Sequence, residues 1–144
     1  MNRAFDGLGS TRDFYNDVFD RDSLDGRGMR LNAYVHRGVA YNNAFWDGSE
    51  MVFGDGDGVL FTDFTKSLDV IAHELTHGVT EFTAGLDYHN QPGALNESIS
   101  DVFGSLVKQW VRKETADQAD WLIGAEVFTP AIGADALRSL KSPG

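Results

Sequence analysis

Hydrophobic residues recur at helical spacing in two long segments of the second half of the chain. The first segment predicts an α-helix from Lys66 to Thr83 and the second predicts one from Ala94 to Val111. Polar and charged residues occupy the opposite face of both segments. Each helix is therefore expected to bury one stripe and to offer the other to a cleft.

The first half of the chain has shorter hydrophobic runs separated by glycine-rich turns. An amphipathic helix is predicted from Ala4 to Phe19, with an interruption expected near Gly9. Four short strands are predicted, over Met29 to His36, Val39 to Trp46, Met51 to Phe53 and Val59 to Phe61. A short final helix is expected near Ala134 to Leu140. The pattern predicts one α+β domain over residues 1–144, with a short antiparallel or mixed sheet before two long helices.

The polar face of the first long helix contains the segment His73-Glu74-Leu75-Thr76-His77. Residues four positions apart lie above one another on a helix, so two imidazoles can reach the same ion. Imidazole nitrogens suit a tetrahedral zinc ion, and a glutamate between them can act as a general base. The segment therefore predicts a zinc site that supports hydrolysis.

A third ligand is expected from the second long helix, where Glu97 follows His73 by 24 residues. Three protein ligands leave the fourth zinc position open to water, which is typical of a catalytic site. Asp101 lies one helical turn after Glu97 and can accept the free ring N–H of a ligand histidine. The sequence thus predicts a gluzincin-type site, with two histidines and one glutamate as ligands.

Other candidates for the third ligand are weaker. The extended pattern HExxHxxGxxH requires glycine at position 80 and histidine at position 83, and this chain has Thr80 and Thr83. His36 lies in an alternating segment and is expected to be a half-buried strand residue. His89 lies in a loop close to the predicted site, but its spacing does not indicate a ligand.

Four stretches together resemble the thermolysin-like family of bacterial neutral zinc metalloendopeptidases, in its protealysin-like branch. They are residues 41–46 (YNNAFW), 51–58 (MVFGDGDG), 69–83 and 93–106. The resemblance extends from Asn2 to Leu140. It implies a secreted endopeptidase with a zinc cofactor that cleaves peptide or protein substrates on the amino side of bulky apolar residues.

The resemblance also implies roles for individual residues. It implies that His73, His77 and Glu97 are the zinc ligands and that Glu74 is the general base. Asp101 matches the carboxylate that accepts a hydrogen bond from a ligand histidine. Tyr88 matches a tyrosine that helps to stabilise the tetrahedral intermediate, and Arg138 matches an arginine that contacts a substrate carbonyl oxygen. Residues matching the strand edge that binds the substrate backbone are Asn43 and Ala44, with Trp46 close by. Residues matching the wall of the specificity pocket are Phe61, Val70, Ile123, Val127 and Leu137.

The chain departs from the family at the paired calcium site. Asp69 and Asp120 are in place, but Lys108 stands where an acidic ligand is expected. An ammonium there could neutralise the two aspartates, so we predict no pair of calcium ions. A separate single calcium ion is expected from a resemblance at Thr129, Ile132 and Asp135.

A second departure concerns the helical domain that closes the cleft in the family, which is expected to be absent from residues 1–144. We therefore expect weak activity or none from this chain, and self-association through the exposed cleft. An alternative function is a non-catalytic, zinc-stabilised peptide-binding module. An aminopeptidase is less favoured, since the sequence shows no acidic site for a substrate amino terminus.

Composition narrows the partners. A net charge of −10 argues against nucleic acid and anionic membranes. The chain has no cysteine, so nitrogen and oxygen atoms must hold the zinc. No hydrophobic run approaches the length needed to span a membrane.

Overall fold

The computed structural model describes residues 2–143. Helix α1 (Arg3–Phe19) is followed by strands β1 (Ala33–Tyr34), β2 (Ala44–Trp46) and β3 (Met51–Phe53). After a 3₁₀ turn at Phe64–Lys66 come the long helices α2 (Leu68–Glu81) and α3 (Asn90–Arg112). Strands β4 (Leu122–Ile123) and β5 (Arg138–Ser139) flank a 3₁₀ turn at Ala125–Val127. The predicted α+β class is confirmed.

The sheet preceding the long helices is mixed, with strand order β1-β3-β2. β1 runs parallel to β3, and β2 runs antiparallel to it. Strands β4 and β5 form a separate antiparallel pair. All five strands have two or three residues, so much of the first half is irregular chain around the helices.

Helix α2 lies at the centre of the core. On one side it packs against α1 and the sheet, through a cluster that includes Leu8, Phe53, Ile71 and Leu75. On the other side a second cluster of Phe14, Tyr15, Ala72 and Val107 joins α1, α2 and α3. Because α2 is covered on nearly every side, its polar residues can be exposed only towards a cleft.

The long helices differ from their predicted bounds by a few residues. α3 begins at Asn90 rather than Ala94, because Pro92 falls in the first turn, where its missing N–H has no helical partner to lose. α1 runs through Gly9 without a break, since glycine lowers helix stability but does not end a packed helix. The central prediction of two long helices holds.

Two strand predictions were too long. Of Met29 to His36 only Ala33–Tyr34 is strand, and His36 is exposed with a positive φ of 62°, so its half-buried strand placement was wrong. Of Val39 to Trp46 only Ala44–Trp46 is strand.

Val59 to Phe61 forms a single bridge, from Phe61 to Phe128, instead of a strand. The backbone N–H groups of Val59, Leu60 and Phe61 all donate to one side-chain oxygen of Asp57, which replaces a strand ladder.

The final helix predicted near Ala134 to Leu140 is also wrong. Leu137 N–H donates to the carbonyl of Ile123, and Leu140 N–H donates to the carbonyl of Trp121. These long-range hydrogen bonds hold the segment beside β4 as β5, and they use donors that a helix would need.

Candidate metal centre and cleft

Helix α2 presents His73 and His77 from consecutive turns towards the same point. Both side chains are buried, and their rings are nearly perpendicular, with centroids 4.7 Å apart. Their Nε2 atoms lie 3.0 Å from each other. Two imidazoles held this way direct their nitrogen lone pairs into a shared space.

Glu97 reaches that space from α3. Its Oε2 lies 3.2 Å from Nε2 of His73, and its Oε1 lies 3.5 Å from Nε2 of His77. Ligands about 2.0–2.1 Å from a tetrahedral zinc ion are about 3.3 Å apart, so these three separations fit that geometry. Among residues 2–143, these three side chains form the one group of His, Cys, Asp or Glu whose ligand atoms lie close enough together to hold a metal ion.

The second nitrogen of each ring has its own partner on α3. Nδ1 of His73 donates to Oδ1 of Asp101 at 2.7 Å, and Nδ1 of His77 donates to Oδ1 of Asn96 at 2.8 Å. These bonds place the ring proton on Nδ1 and leave Nε2 free to bind a cation. Both partners are buried, which fixes the rings in this orientation.

A glycine contact allows α3 to lie close enough to α2 for these bonds. A Cβ on Gly104 would lie 2.6 Å from the carbonyl oxygen of Asp69 and 3.4 Å from the backbone nitrogen of His73. Any larger residue would have to separate the helices. The absence of a side chain at position 104 therefore brings Glu97 and Asp101 within reach of the histidines.

The site combines opposite charges at short range. Burial disfavours a charge on His73, but hydrogen bonds with Asp101 and Glu97 outweigh it and raise the pKa of His73 to about 9. The hydrogen bond with His73 lowers the pKa of Glu97 to about 2. Burial lowers the pKa of His77. A carboxylate that holds a proton on a neighbouring imidazole can hold a divalent cation in its place.

Glu74 lies between the two ligand histidines in sequence and beside them in the cleft. Burial raises the pKa of its carboxyl to about 7. A carboxyl group with a pKa near neutrality can both accept and return a proton at physiological pH. Glu74 lines both cavities described below, so it is accessible from either direction along the cleft.

The primary cavity, of about 370 Å³, lies directly over the three ligand residues. Asn43 and Ala44 form one edge of it, and Val70 and Leu137 contribute apolar surface. The structure therefore brings these four predicted substrate-binding residues to the metal centre. Phe45 and Phe64, which sequence reasoning missed, also line the cavity.

Two further predicted residues place polar atoms in the primary cavity. The hydroxyl of Tyr88 donates to Oε1 of Glu97 and lies 2.8 Å from Nε2 of His77. Arg138 binds Asp101 through two nitrogens, Nε at 2.6 Å and Nη2 at 2.7 Å. Asp101 thus joins a ligand histidine to the arginine.

A secondary cavity of about 520 Å³ adjoins the first and shares Glu74, His77 and Tyr88 with it. Trp46 lines this secondary cavity rather than the primary one. Its indole packs on Gly78 of α2, where a Cβ would lie 3.2 Å from the ring.

The other residues predicted for the pocket wall, Phe61, Ile123 and Val127, line neither cavity. Ile123 and Val127 are fully buried, and Phe61 stacks on Phe128 and packs at a tilt against Phe64. Phe61 and Val127 belong to the same core cluster as Val70 and Leu137, so they support the cavity wall from behind.

Sequence reasoning also missed Asn96 and Ser100, which both contact Nδ1 of His77, at 2.8 and 3.0 Å. Their spacing of one helical turn on the Glu97 side of α3 was the available signal. No comparable signal marked Phe64, because its position depends on a 3₁₀ turn.

The predicted pairing of Lys108 is confirmed. Its ammonium lies 2.8 Å from Oδ2 of Asp69 and 2.9 Å from Oδ1 of Asp120, and it donates to the carbonyl of Leu122. Lys108 and Asp69 are almost completely buried. The ammonium of Lys108 therefore balances both carboxylates. That no pair of calcium ions binds here stays a prediction.

The single calcium site expected at Thr129, Ile132 and Asp135 also stays a prediction. Thr129 donates its hydroxyl to the carbonyl of Val59, and its backbone carbonyl accepts from the N–H of Ile132. Asp135 is exposed.

Comparisons with known proteins match nearly the whole chain. Residues 4–81 match the family described as thermolysin metallopeptidase, catalytic domain, and residues 84–144 match that described as thermolysin metallopeptidase, alpha-helical domain. The boundary between the matches falls after α2, so the ligand histidines and Glu97 lie on opposite sides of it.

Individual relatives agree with those matches. The chain is 56% identical to the extracellular metalloprotease of Pectobacterium carotovorum subsp. carotovorum and 49% identical to thermolysin of Bacillus caldolyticus. These alignments cover 100% and 94% of the chain, but 42% and 24% of the relatives. The chain thus spans less than half the length of these relatives.

The precursor of protealysin, a metalloproteinase from Serratia proteamaculans, has a similar solved structure. It superimposes with a TM-score of 0.97 at 56% identity, over 99% of this chain and 44% of the precursor. Among residues 2–143, no helix is both long and apolar enough to cross a membrane.

Proposed function

This chain belongs to the thermolysin metallopeptidase family, and we propose that it forms the zinc-binding centre of an endopeptidase. The observation on which the proposal rests is the convergence of His73, His77 and Glu97, with ligand atoms 3.0–3.5 Å apart, beside Glu74. The proposed substrate is a peptide or protein bound in the cleft, as expected of a protease. The proposed metal is zinc, which suits two imidazoles and one carboxylate.

Zinc held there would polarise a peptide carbonyl and lower the pKa of a water molecule. With zinc bound, Glu74 would accept a proton from a water molecule in the cleft and deliver it to the leaving amine, a role that suits a carboxyl group with a pKa of about 7. Tyr88 and Arg138 both bring hydrogen-bond donors to the primary cavity. We assign Tyr88 to the oxygen of the reacting carbonyl and Arg138 to a carbonyl oxygen of the substrate.

The substrate backbone is proposed to pair with the edge at Asn43 and Ala44, which lies along the primary cavity. Val70 and Leu137 then contact the side chain that follows the scissile bond, so a bulky apolar residue is favoured there. Because the metal ligands come from both matched regions, we propose that residues 1–144 act as one domain. Export from the cell is proposed from the Pectobacterium relative, whose name describes it as extracellular.

The test compares the protein with its Glu74→Gln variant. Zinc content by elemental analysis is expected to be one per chain in both, since Glu74 is not a ligand. Hydrolysis of casein or a blocked dipeptide amide by this chain is expected to be weak, and in the variant it should fall by about 10²–10⁴-fold or to background. Glu50→Gln, which also removes one negative charge, serves as the control and should retain activity.

The alternative is a non-catalytic, zinc-stabilised module that binds peptides. It predicts zinc and peptide binding without turnover in either protein. Absence of stoichiometric zinc in metal-replete buffer would contradict both functions.

A further inference from the structure

The secondary cavity differs from the primary one in its charge. Its formally charged lining residues are all acidic: Asp47, Glu74 and Glu81. The primary cavity instead contains the guanidinium of Arg138. The electrostatic environment therefore changes along the cleft, from a side with a cation to a side without one.

Glu81 is an exposed residue on the wall of the secondary cavity. It lies one helical turn beyond His77 on α2, so it continues the helix face that carries Glu74 and His77. Its Oε2 accepts a hydrogen bond from Nε1 of Trp46 at 3.0 Å. Within residues 2–143, its Oε1 accepts no hydrogen bond, and neither oxygen has a cationic partner.

Asp47 supplies a second carboxylate to the same cavity. Its Oδ1 accepts hydrogen bonds from the N–H groups of Ser49 and Glu50 and from the Ser49 hydroxyl, and these bonds lower the pKa of Asp47. Its Oδ2 has no hydrogen-bond partner among the described residues. The turn thus keeps this carboxylate ionised at the cavity wall.

The remaining walls combine apolar surface with the polar side chains of His77, Tyr88 and Asn96. Phe45, Trp46 and Leu86 surround the cavity, and Gly48 and Gly85 leave room beside them. A ligand with an aliphatic stem and a cationic head would match both parts of this lining, and an indole face adds a cation–π contact. Lysine and arginine side chains have that composition.

The direction of the cleft places this cavity relative to the scissile bond. β2 runs from Ala44, which follows Asn43 at the primary cavity, to Trp46 at the secondary one. A substrate strand antiparallel to β2 would place its amino-terminal side in the secondary cavity. This assignment rests on the proposed function, in which the primary cavity takes the residue after the scissile bond.

We propose that the secondary cavity selects substrates with a cationic group on the amino side of the scissile bond, and that Glu81 determines this preference. The cation is an alkylammonium or guanidinium, supplied by a side chain or by the amino terminus of a short peptide. The selection adds to the apolar preference of the primary cavity without replacing it.

The experiment uses quenched fluorescent peptides with leucine after the scissile bond. The residue one or two positions before the bond is lysine or norleucine, which shares the stem of lysine but has no charge. Lysine is expected to raise kcat/KM about three- to tenfold over norleucine, the range for a partly exposed charge pair with a cation–π contact. Added salt should reduce this ratio. Acetylated and free amino termini distinguish the two sources of the cation.

Glu81→Gln is expected to bring the lysine-to-norleucine ratio close to one while its amide oxygen still accepts the Trp46 bond. Glu50→Gln, from the same turn as Asp47 but outside the cavity lining, should keep the wild-type ratio. A wild-type ratio of one or less, or a ratio unchanged by Glu81→Gln, would overturn the proposal.

Failure of the proposed function would look different, because no peptide of the panel would be cleaved. The same peptides are then titrated against the zinc-loaded Glu74→Gln variant by calorimetry. Tighter binding of lysine than of norleucine peptides, lost when Glu81→Gln is added, supports the cationic site independently of catalysis. Equal binding overturns it.

Discussion

His73 and Asp101 are joined by a 2.7 Å hydrogen bond that links the ligand helix α2 to α3, and Asp101 is held in turn by two bonds from Arg138. One carboxylate therefore orients both a histidine of the proposed metal centre and the guanidinium that lines the primary cavity. A disturbance at Asp101 is expected to affect both metal binding and turnover.

Asp101→Asn is expected to weaken zinc binding about 10–100-fold, because an amide is a poorer acceptor for the Nδ1 proton of His73. Competition with a chromogenic chelator measures this change. Asp87→Asn, at an exposed position outside both cavities, is the matched control. Equal zinc affinity in Asp101→Asn and wild type would show that the hydrogen bond from His73 to Asp101 does not affect zinc binding.

Lys108→Met is expected to lower the free energy of unfolding by about 3 kcal/mol, because it leaves the buried Asp69 carboxylate without a counter-charge. Urea denaturation followed by circular dichroism gives the value. Lys66→Met removes an exposed lysine and should change stability by less than about 0.5 kcal/mol. A similar small change at Lys108 would refute the role assigned to its ammonium.

The predicted absence of paired calcium can be tested on the same proteins. Since Lys108 already balances Asp69 and Asp120, added calcium is not expected to stabilise the wild type through these two residues. Thermal melts with calcium and with a calcium chelator check this. A large calcium-dependent rise in Tm that Asp120→Asn abolishes would contradict the prediction.

The acid dependence of stability should also depend on Lys108. Burial favours the neutral form of Asp120, but hydrogen bonds from the Leu122 N–H and Lys108 outweigh it and lower its pKa. A lowered folded-state pKa means that the contribution is complete above the unfolded pKa of about 4 and is lost as pH falls through the folded value. Between about pH 5 and pH 2, the free energy of unfolding should therefore fall less in Lys108→Met than in wild type, as measured by denaturation at each pH. If the free energy of unfolding fell equally with pH in both proteins, the link between Lys108 and the pKa of Asp120 would be excluded.

Gly104→Ala is expected to destabilise the protein by about 1–3 kcal/mol and to weaken zinc binding, since the new methyl group would collide with the carbonyl of Asp69. Gly9→Ala, in α1, is the opposite control, because nothing lies within 4 Å of a Cβ there. That change should stabilise by about 0.5–1 kcal/mol. Thermal melts and chelator competition separate the two effects.

The sequence was sufficient for the features that depend on local periodicity. The hydrophobic stripes of α2 and α3 and the spacing of His73 and His77 predicted the helices and the metal centre, because helix geometry alone sets those relationships. The structure also places the carboxylate of Glu97 beside these two histidines, as predicted. This placement depends on the helix crossing at Gly104, which no periodicity reveals.

Features that depend on distant hydrogen bonds were not predictable. Leu137 pairs with Ile123 and Asp57 caps three N–H groups, so a predicted helix and a predicted strand are both absent among the described residues. The secondary cavity was missed for the same reason, since Trp46 and Glu81 meet only in the folded chain. The sequence therefore suggested no acidic recognition site.

Unlike a bound metal ion, the ammonium of Lys108 beside Asp69 is part of the chain and cannot dissociate from it. At neutral pH, neither dilution nor a strong chelator removes the charge that balances this part of the α2–α3 junction. Chelation should therefore strip zinc from the active centre without loosening this junction. That arrangement should make the stability of the junction independent of the calcium concentration of the surroundings.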